Sequence, residues 1–315
     1  MNGQPMPLAK LPSPEQNIIN IIKAMEPMKP QKFPFVGGIH GDMGTGKTVA
    51  GMRILQGVVE DDKLILYINT AAGYSTFNNH PELMHRVQRM QYERQEQLVA
   101  VGKAIQAAKK VMKKTPEKAN DLIKAMAKIG GIMLDEYSHM SALDQAWIVK
   151  SRATQVEEAG GFKDPYAATL PDYGAQMHRS NEVIENFMQA EVHLMVICHT
   201  RYDDKIGQWR PDFPEKTAAG VYKVLHSMYF AKAERGKEGQ PVMTLELKAD
   251  RKFAAKNRVG GLGTRASVEE IVAAYKKWGV NTTEEEAPKE SPVEASTTPE
   301  ASESNDVDDI TKLLA

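Results

Sequence analysis

Four apolar runs set the rhythm of the chain: residues 35–40, 63–69, 131–134 and 192–198. Each is nearly continuous rather than alternating, which suits a strand buried on both faces of a parallel sheet. Between them the spacing turns helical. It predicts helices from Lys47 to about Val59, from Glu93 to Lys114, from Pro116 to Lys128, and from Asp172 to about Ala190, where Met177, Val183, Ile184, Phe187 and Met188 share one side. Strands alternating with helices imply an α/β fold with a mostly parallel central sheet flanked by helices. A short strand is expected over 87–92, loops over 71–79 and 159–165, and a long irregular segment over 201–219. Residues 226–231 and 242–247 are strand-like and joined by Gly236-Lys237-Glu238-Gly239, a hairpin signal.

Caps mark the two outer helices. Ser13, Pro14 and Gln16 open an early helix with Ile18, Ile19, Ile21, Ile22 and Met25 on its apolar face, and Pro27 and Pro30 close it. Ser267-Val268-Glu269-Glu270 caps a last helix that runs to Trp278. The chain thus divides into an arm and helix (1–30), a core (31–263) with a basic helical insertion (81–128), a C-terminal helix (264–283) and a tail (284–315) expected to be disordered.

Between the first strand and the first core helix stands Gly41-Asp42-Met43-Gly44-Thr45-Gly46-Lys47-Thr48, the spacing G-x-x-x-x-G-K-T. Glycines let a loop curl so that backbone N–H groups point inward, and the following helix aims its positive end at the same place. A triphosphate fits such a cradle. Lys47 would reach the β- and γ-phosphate oxygens, and the Thr48 hydroxyl would ligate Mg²⁺, which takes few protein ligands and keeps several waters. The strand that ends in Asp135-Glu136 is the acidic partner such a loop requires in an ATPase: Asp135 for the Mg²⁺ shell, Glu136 to polarise the attacking water. His199 and Thr200 close the strand over 192–198 and are expected near the nucleotide, because ligands of parallel sheets sit beyond the carboxyl ends of the strands. Polar residues that merely close a strand account for them almost as well.

Charge changes the picture of partners. The 315 residues carry a formal net charge of −1, but residues 284–315 hold ten acids against Lys289 and Lys312, a charge of −8 that leaves +7 on residues 1–283. A basic body suggests a polyanion partner, and the tail either competes for that surface, recruits another protein or serves solubility. Residues 82–128 hold eleven Lys or Arg against five Asp or Glu, with Lys109, Lys110, Lys113 and Lys114 at one helix end. They read as a phosphate contact or as a solvated end that complements the helix dipole. Arg201, Lys205, Trp209, Arg210 and Lys216 place cations beside an aromatic ring, as single-stranded nucleic acid requires, although a lone Trp also packs. Arg251, Lys252, Lys256 and Arg258 form a further cluster, from which Arg258 is a candidate arginine finger for a neighbouring subunit. No run reaches a membrane span and the first residues lack a secretory pattern, so a cytoplasmic protein is expected. The single cysteine, Cys198, excludes an intramolecular disulfide and is expected to be buried.

The order of these landmarks resembles the phage-encoded AAA-type nucleotide-binding proteins, the RecA-like ATPases associated with single-strand annealing recombination. The matching residues are Gly41 to Thr48, Asp135 with Ser138 and His139, Asp172-Tyr173-Gly174, His199-Thr200-Arg201, Pro211 to Lys216, and Ala255-Lys256-Asn257-Arg258, across roughly residues 33–263. The resemblance implies a RecA-like P-loop NTPase core, ATP with Mg²⁺, single-stranded DNA as polymer partner, and a homo-oligomer acting in phage recombination or replication. The tail would then meet a single-strand binding protein or another replication protein. Two features depart from the pattern: residues 69–73 lack the acid expected after the second strand, and the helical stretch over 93–128 is long. Two rival functions are a nucleotide-gated scaffold with little hydrolysis and a small-molecule phosphotransferase.

Overall fold

Strand β1 (Val36–Gly41) is buried along its whole length, between two parallel neighbours that cover both its edges. The computed structural model describes residues 33–70, 73–213, 221, 224–235 and 241–278. The early helix and the acidic tail expected from the sequence lie outside the described residues.

After β1 come α1 (Lys47–Val58), β2 (Leu64–Asn69), β3 (Val87–Gln91), α2 (Gln95–Lys114), α3 (Asp121–Ala127), β4 (Ile129–Asp135), α4 (Tyr137–Glu158), α5 (Leu170–Gln189) and β5 (His193–Cys198). The rest is β6 (Thr200–Asp203), β7 (Gln208–Pro211), β8 (Ser227–Arg235), β9 (Pro241–Glu246), β10 (Lys256–Asn257), β11 (Arg265–Ala266) and α6 (Val268–Lys277). Among the described residues the main sheet has the order β11-β9-β8-β1-β5-β4-β2-β3, with β10 on β8. The pairs from β8 across to β3 are parallel, while β9, β10 and β11 add an antiparallel margin. The expected C-terminal hairpin is β8 with β9.

Helices cover both faces. On one, α1 and α6 bring Met52, Ile54, Leu55, Ile271 and Tyr275 against Ile39, Met133, Met195 and Ile197. On the other, α2, α4 and α5 bring Leu98, Ile105, Met140, Ile184 and Phe187 against Val36, Ile132, Leu134 and Val196. Each such fully buried side chain contributes about 1.5–3 kcal/mol. Double coverage explains why these strands read as unbroken apolar runs.

Helix limits follow from caps. Thr169 and Asp172 form a reciprocal capping box at the start of α5, and Ser267 and Glu270 do the same for α6, as its sequence predicts. Helix α2 ends at Thr115 because Pro116 cannot continue it. The helix expected over 116–128 is therefore a short turn, Pro116–Lys118, followed by α3.

Three expectations change. Residues 81–128, read as an insertion, supply the edge strand β3 and the layer helix α2, whose Leu98 and Ile105 enter the core against α5. In the basic cluster of α2, the Lys109 ammonium donates to Ala190 O at 2.8 Å and Glu191 O at 3.0 Å, so it satisfies carbonyls at the end of α5. Of residues 201–219, read as irregular, the part up to Pro211 forms with Thr200 the antiparallel ribbon β6–β7, turned by Gly207 at φ 66°, and residues 214–219 lie outside the described residues. No helix among the described residues is long and apolar enough to cross a membrane.

Candidate functional site

Parallel register aligns the ends of four strands. Asp135 lies opposite both Ile197 and Asn69, and His40 opposite Cys198 and Phe230. The residues that follow, 42–48, 136 and 199, therefore gather at one edge of the sheet.

The connection from β1 to α1 is residues 42–46. Gly46 is the N-cap at φ 84°, a left-handed conformation that costs a residue with a Cβ about 1–2 kcal/mol. A Cβ on Gly41 would lie 2.4 Å from Ala231 O, so no larger residue fits where the chain leaves the sheet. Thr45 Oγ1 donates to Asp42 O at 2.9 Å and ties the loop across its width. Met43 is 79% exposed, so its side chain takes no part and only its backbone borders the loop. The first N–H groups of α1 have no partner inside the helix, no side chain caps them, and no acid occupies the first turn. That leaves the positive end of the helix uncompensated and ready for an anion.

Lys47 is buried and folds back over the loop, donating from Nζ to Gly41 O at 2.9 Å and Asp42 O at 2.6 Å. Burial lowers its pKa from the ordinary lysine value, and Glu136, Asp135 and Asp42 oppose that shift. Thr48, one residue on, donates from Oγ1 to Asp135 Oδ2 at 3.0 Å, joining the loop to the end of β4. Tyr67 on β2 donates to the same oxygen at 2.8 Å. Asp135 is 1% exposed, and its other oxygen, Oδ1, has no hydrogen-bond partner. Burial raises its pKa above the usual carboxylate range, with Tyr67 and Thr48 pulling the other way.

Glu136 and His199 meet across the ends of β4 and β5, with Nε2 2.8 Å from Oε2. The His199 backbone N–H donates to Ser138 Oγ at 3.0 Å, which anchors the start of the β6–β7 ribbon to α4. On the ribbon, Tyr202 and Trp209 pack edge to face at 5.1 Å and remain 48% and 39% exposed. Thr200 Oγ1 donates to Arg210 O at 3.0 Å and lies 3.3 Å from His40 Nδ1, while His40 Nε2 is 2.6 Å from Ala254 O. The short contact to a carbonyl assigns the His40 proton to Nε2. Burial lowers the His40 pKa to about 4, so the ring is neutral.

Of the residues singled out by sequence, Gly41 to Thr48, Asp135, Glu136 and His199 come together. Arg258 does not. Its N–H bonds His226 O, just past β10, where Asn257 faces Ser227 and Ser227 faces Gly37 at the opening of β1. Gly41 is four residues farther along that strand, ~13 Å away at the usual rise. A two-residue strand on β8 thus carries Arg258 to the opposite end of the sheet from its own chain's loop, so the finger expected of it is one for a neighbouring subunit. Trp209 packs on Tyr202 and does not stand alone. Sequence reasoning missed Tyr67 and His40, which looked like members of apolar strands. The one signal was a phenol inside a buried run, since a buried tyrosine hydroxyl seeks a partner.

The described residues contain no group of three or more His, Cys, Asp or Glu that would cage a metal. The donor set on offer to a cation is one hydroxyl and one carboxylate with a free oxygen, a sparse shell of the kind Mg²⁺ accepts. The chain was compared with protein-family models and with curated proteins: no family model matches it, and no curated protein does.

Proposed function

We propose that the chain is a P-loop ATPase that binds ATP with Mg²⁺ at residues 41–48 and takes single-stranded DNA as its polymer partner. The observation that carries the reading is the Thr48–Asp135 hydrogen bond, which closes the anion-ready loop onto a buried carboxylate with one oxygen to spare. Uncapped N–H groups of the loop and α1 hold the phosphates. Lys47 leaves its two carbonyl partners to meet them. Thr48 offers an oxygen lone pair to the metal shell while its O–H still donates to Asp135, whose Oδ1 faces no protein donor. Bound Mg²⁺ would supply charge neutralisation at the phosphate oxygens as the terminal phosphoryl group departs. Glu136 orients the attacking water and accepts its proton on a carboxylate oxygen, and His199 fixes that carboxylate in place.

The ribbon supports the DNA partner. Tyr202 and Trp209 offer exposed rings for stacking on one face of the ribbon, Lys205 in its turn offers a cation for phosphate, and the ribbon begins directly after His199. Strand contacts made there have a route to Glu136 through a single residue. The motif order that resembles phage annealing ATPases supports recombination or replication as the setting. In a head-to-tail assembly of copies, Arg258 at the amino end of the sheet is the side offered to the next copy's site.

A second reading has its own observation: with Glu136 held by His199, the chain suits a nucleotide-gated scaffold that hydrolyses slowly. Steady-state ATPase rates with and without single-stranded DNA, at two salt concentrations, separate the two. Stimulation by DNA that fades with salt supports the ATPase, and binding without turnover under every condition supports the scaffold. In the ATPase, Glu136→Gln retains ATP binding and loses at least 100-fold in turnover. Normal turnover by this variant removes Glu136 as the base.

A further inference from the structure

We propose that Tyr67 is a positioning residue for the metal shell: its phenol orients the Asp135 carboxylate so that Oδ1 is the oxygen reserved for Mg²⁺. The inference rests on the nucleotide reading of the site and deepens it.

Asp135 projects from the last position of β4 toward the loop. An aspartate carboxylate turns on a broad, nearly two-fold torsion, so a single donor leaves its two oxygens interchangeable. Thr48 is one donor, at 3.0 Å from α1. Tyr67 is the second, at 2.8 Å from β2, and it meets the same oxygen. Two donors from two elements on one oxygen fix the plane of the group, and Oδ1 is left buried and bare. Such a bare oxygen is costly in a folded protein, which makes the arrangement hard to explain as packing alone.

Tyr67 is itself held. Its register partner on β4 is Met133, two residues before Asp135, so the phenol reaches diagonally along the same face of the sheet. Its ring is 1% exposed and packs edge to face on Phe77 at 5.0 Å. A donor that cannot swing suits the task of holding an acid whose other partner, Thr48, also serves the metal.

Tyr67→Phe removes the hydroxyl and keeps the ring. The test is ADP affinity in Mg²⁺ and in EDTA, for wild type, Tyr67→Phe, Asp135→Asn and the double variant, with melting temperatures alongside. The expected result is a loss of about tenfold in the Mg²⁺ condition with EDTA affinity within about twofold of wild type, and no further loss when Tyr67→Phe is added to Asp135→Asn. Equal losses in both conditions, no loss in either, or additive losses in the double variant overturn the positioning role and leave nucleotide binding intact. A wild-type chain that binds no ADP in either condition overturns the nucleotide reading and this inference with it.

Discussion

Two buried aspartates in this molecule are treated in opposite ways. Asp172, at the start of α5, is fully enclosed, and every side of its carboxylate is engaged: Thr169 donates from N at 2.8 Å and Oγ1 at 2.7 Å, Lys163 from Nζ at 2.8 Å, and Arg152 from Nη1 at 3.1 Å. Burial alone would raise its pKa, but the Lys163 and Thr169 hydrogen bonds win and hold the carboxyl well below the usual range. Asp135 is as deeply buried, has both its donors on one oxygen, and titrates above the usual range. Asp172 is a finished joint between α4, α5 and their connecting loop. Asp135 is left short of partners at the edge where the loop, β4 and β5 meet, and a group left short in a well-packed fold marks where a ligand belongs.

The most forceful way to break this comparison is to neutralise each acid. Asp135→Asn is expected to cut Mg²⁺-dependent turnover by at least 100-fold while the melting temperature holds or rises, because a partly satisfied buried charge is removed. Asp172→Asn is expected to lose roughly 3 kcal/mol, since the largely enclosed Lys163 and the half-exposed Arg152 then face a neutral group, with turnover per folded molecule unchanged. Chemical denaturation read beside activity checks both. If the two variants lose stability alike, the contrast is an accident of burial.

The pH profile of stability sharpens it next. His40 is neutral in the fold with a pKa near 4, against about 6.5 unfolded. Its contribution is present above pH 6.5 and is lost as pH falls toward 4, because the unfolded chain binds the extra proton in that window. Over the window this amounts to roughly 3 kcal/mol. His40→Gln keeps a donor for Ala254 and cannot titrate, so its stability should fall less than that of wild type between these values. Parallel curves would mean that His40 is not the group responsible. The smallest effect belongs to the ribbon: Trp209→Ala should weaken single-stranded DNA binding by about tenfold without altering DNA-free ATPase. Unchanged DNA affinity would return Trp209 and Tyr202 to a packing role.

Much of the frame was legible because it follows from local rules. Unbroken apolar runs announce doubly covered strands, Ser267 with Glu270 announces α6, and the glycine spacing around Lys47 places the loop. What escaped depends on register and on which end of a sheet a segment joins. Tyr67 is recognisable as Asp135's partner only once β2 and β4 are known to be neighbours with Asn69 opposite Asp135. His40 meets Ala254 across 214 residues of chain. Arg258 belonged to an inviting cluster, yet two residues of pairing on β8 take it away from the loop. The β6–β7 ribbon was hidden because its strands are four residues each, too short for their alternation to stand out, with Arg201, Asp203 and Arg210 on one face and Tyr202 and Trp209 on the other.

The central claim is that the curled backbone after β1, with Lys47 at its end, grips the phosphates of a nucleotide. Calorimetric titration of ADP with Mg²⁺ into the wild-type chain and into Lys47→Ala tests it most directly. Saturable one-to-one binding by the wild type, weakened at least 100-fold in the variant while the melting temperature is kept, is the expected result. Equal affinity in the two proteins, or no binding by the wild type, would contradict it.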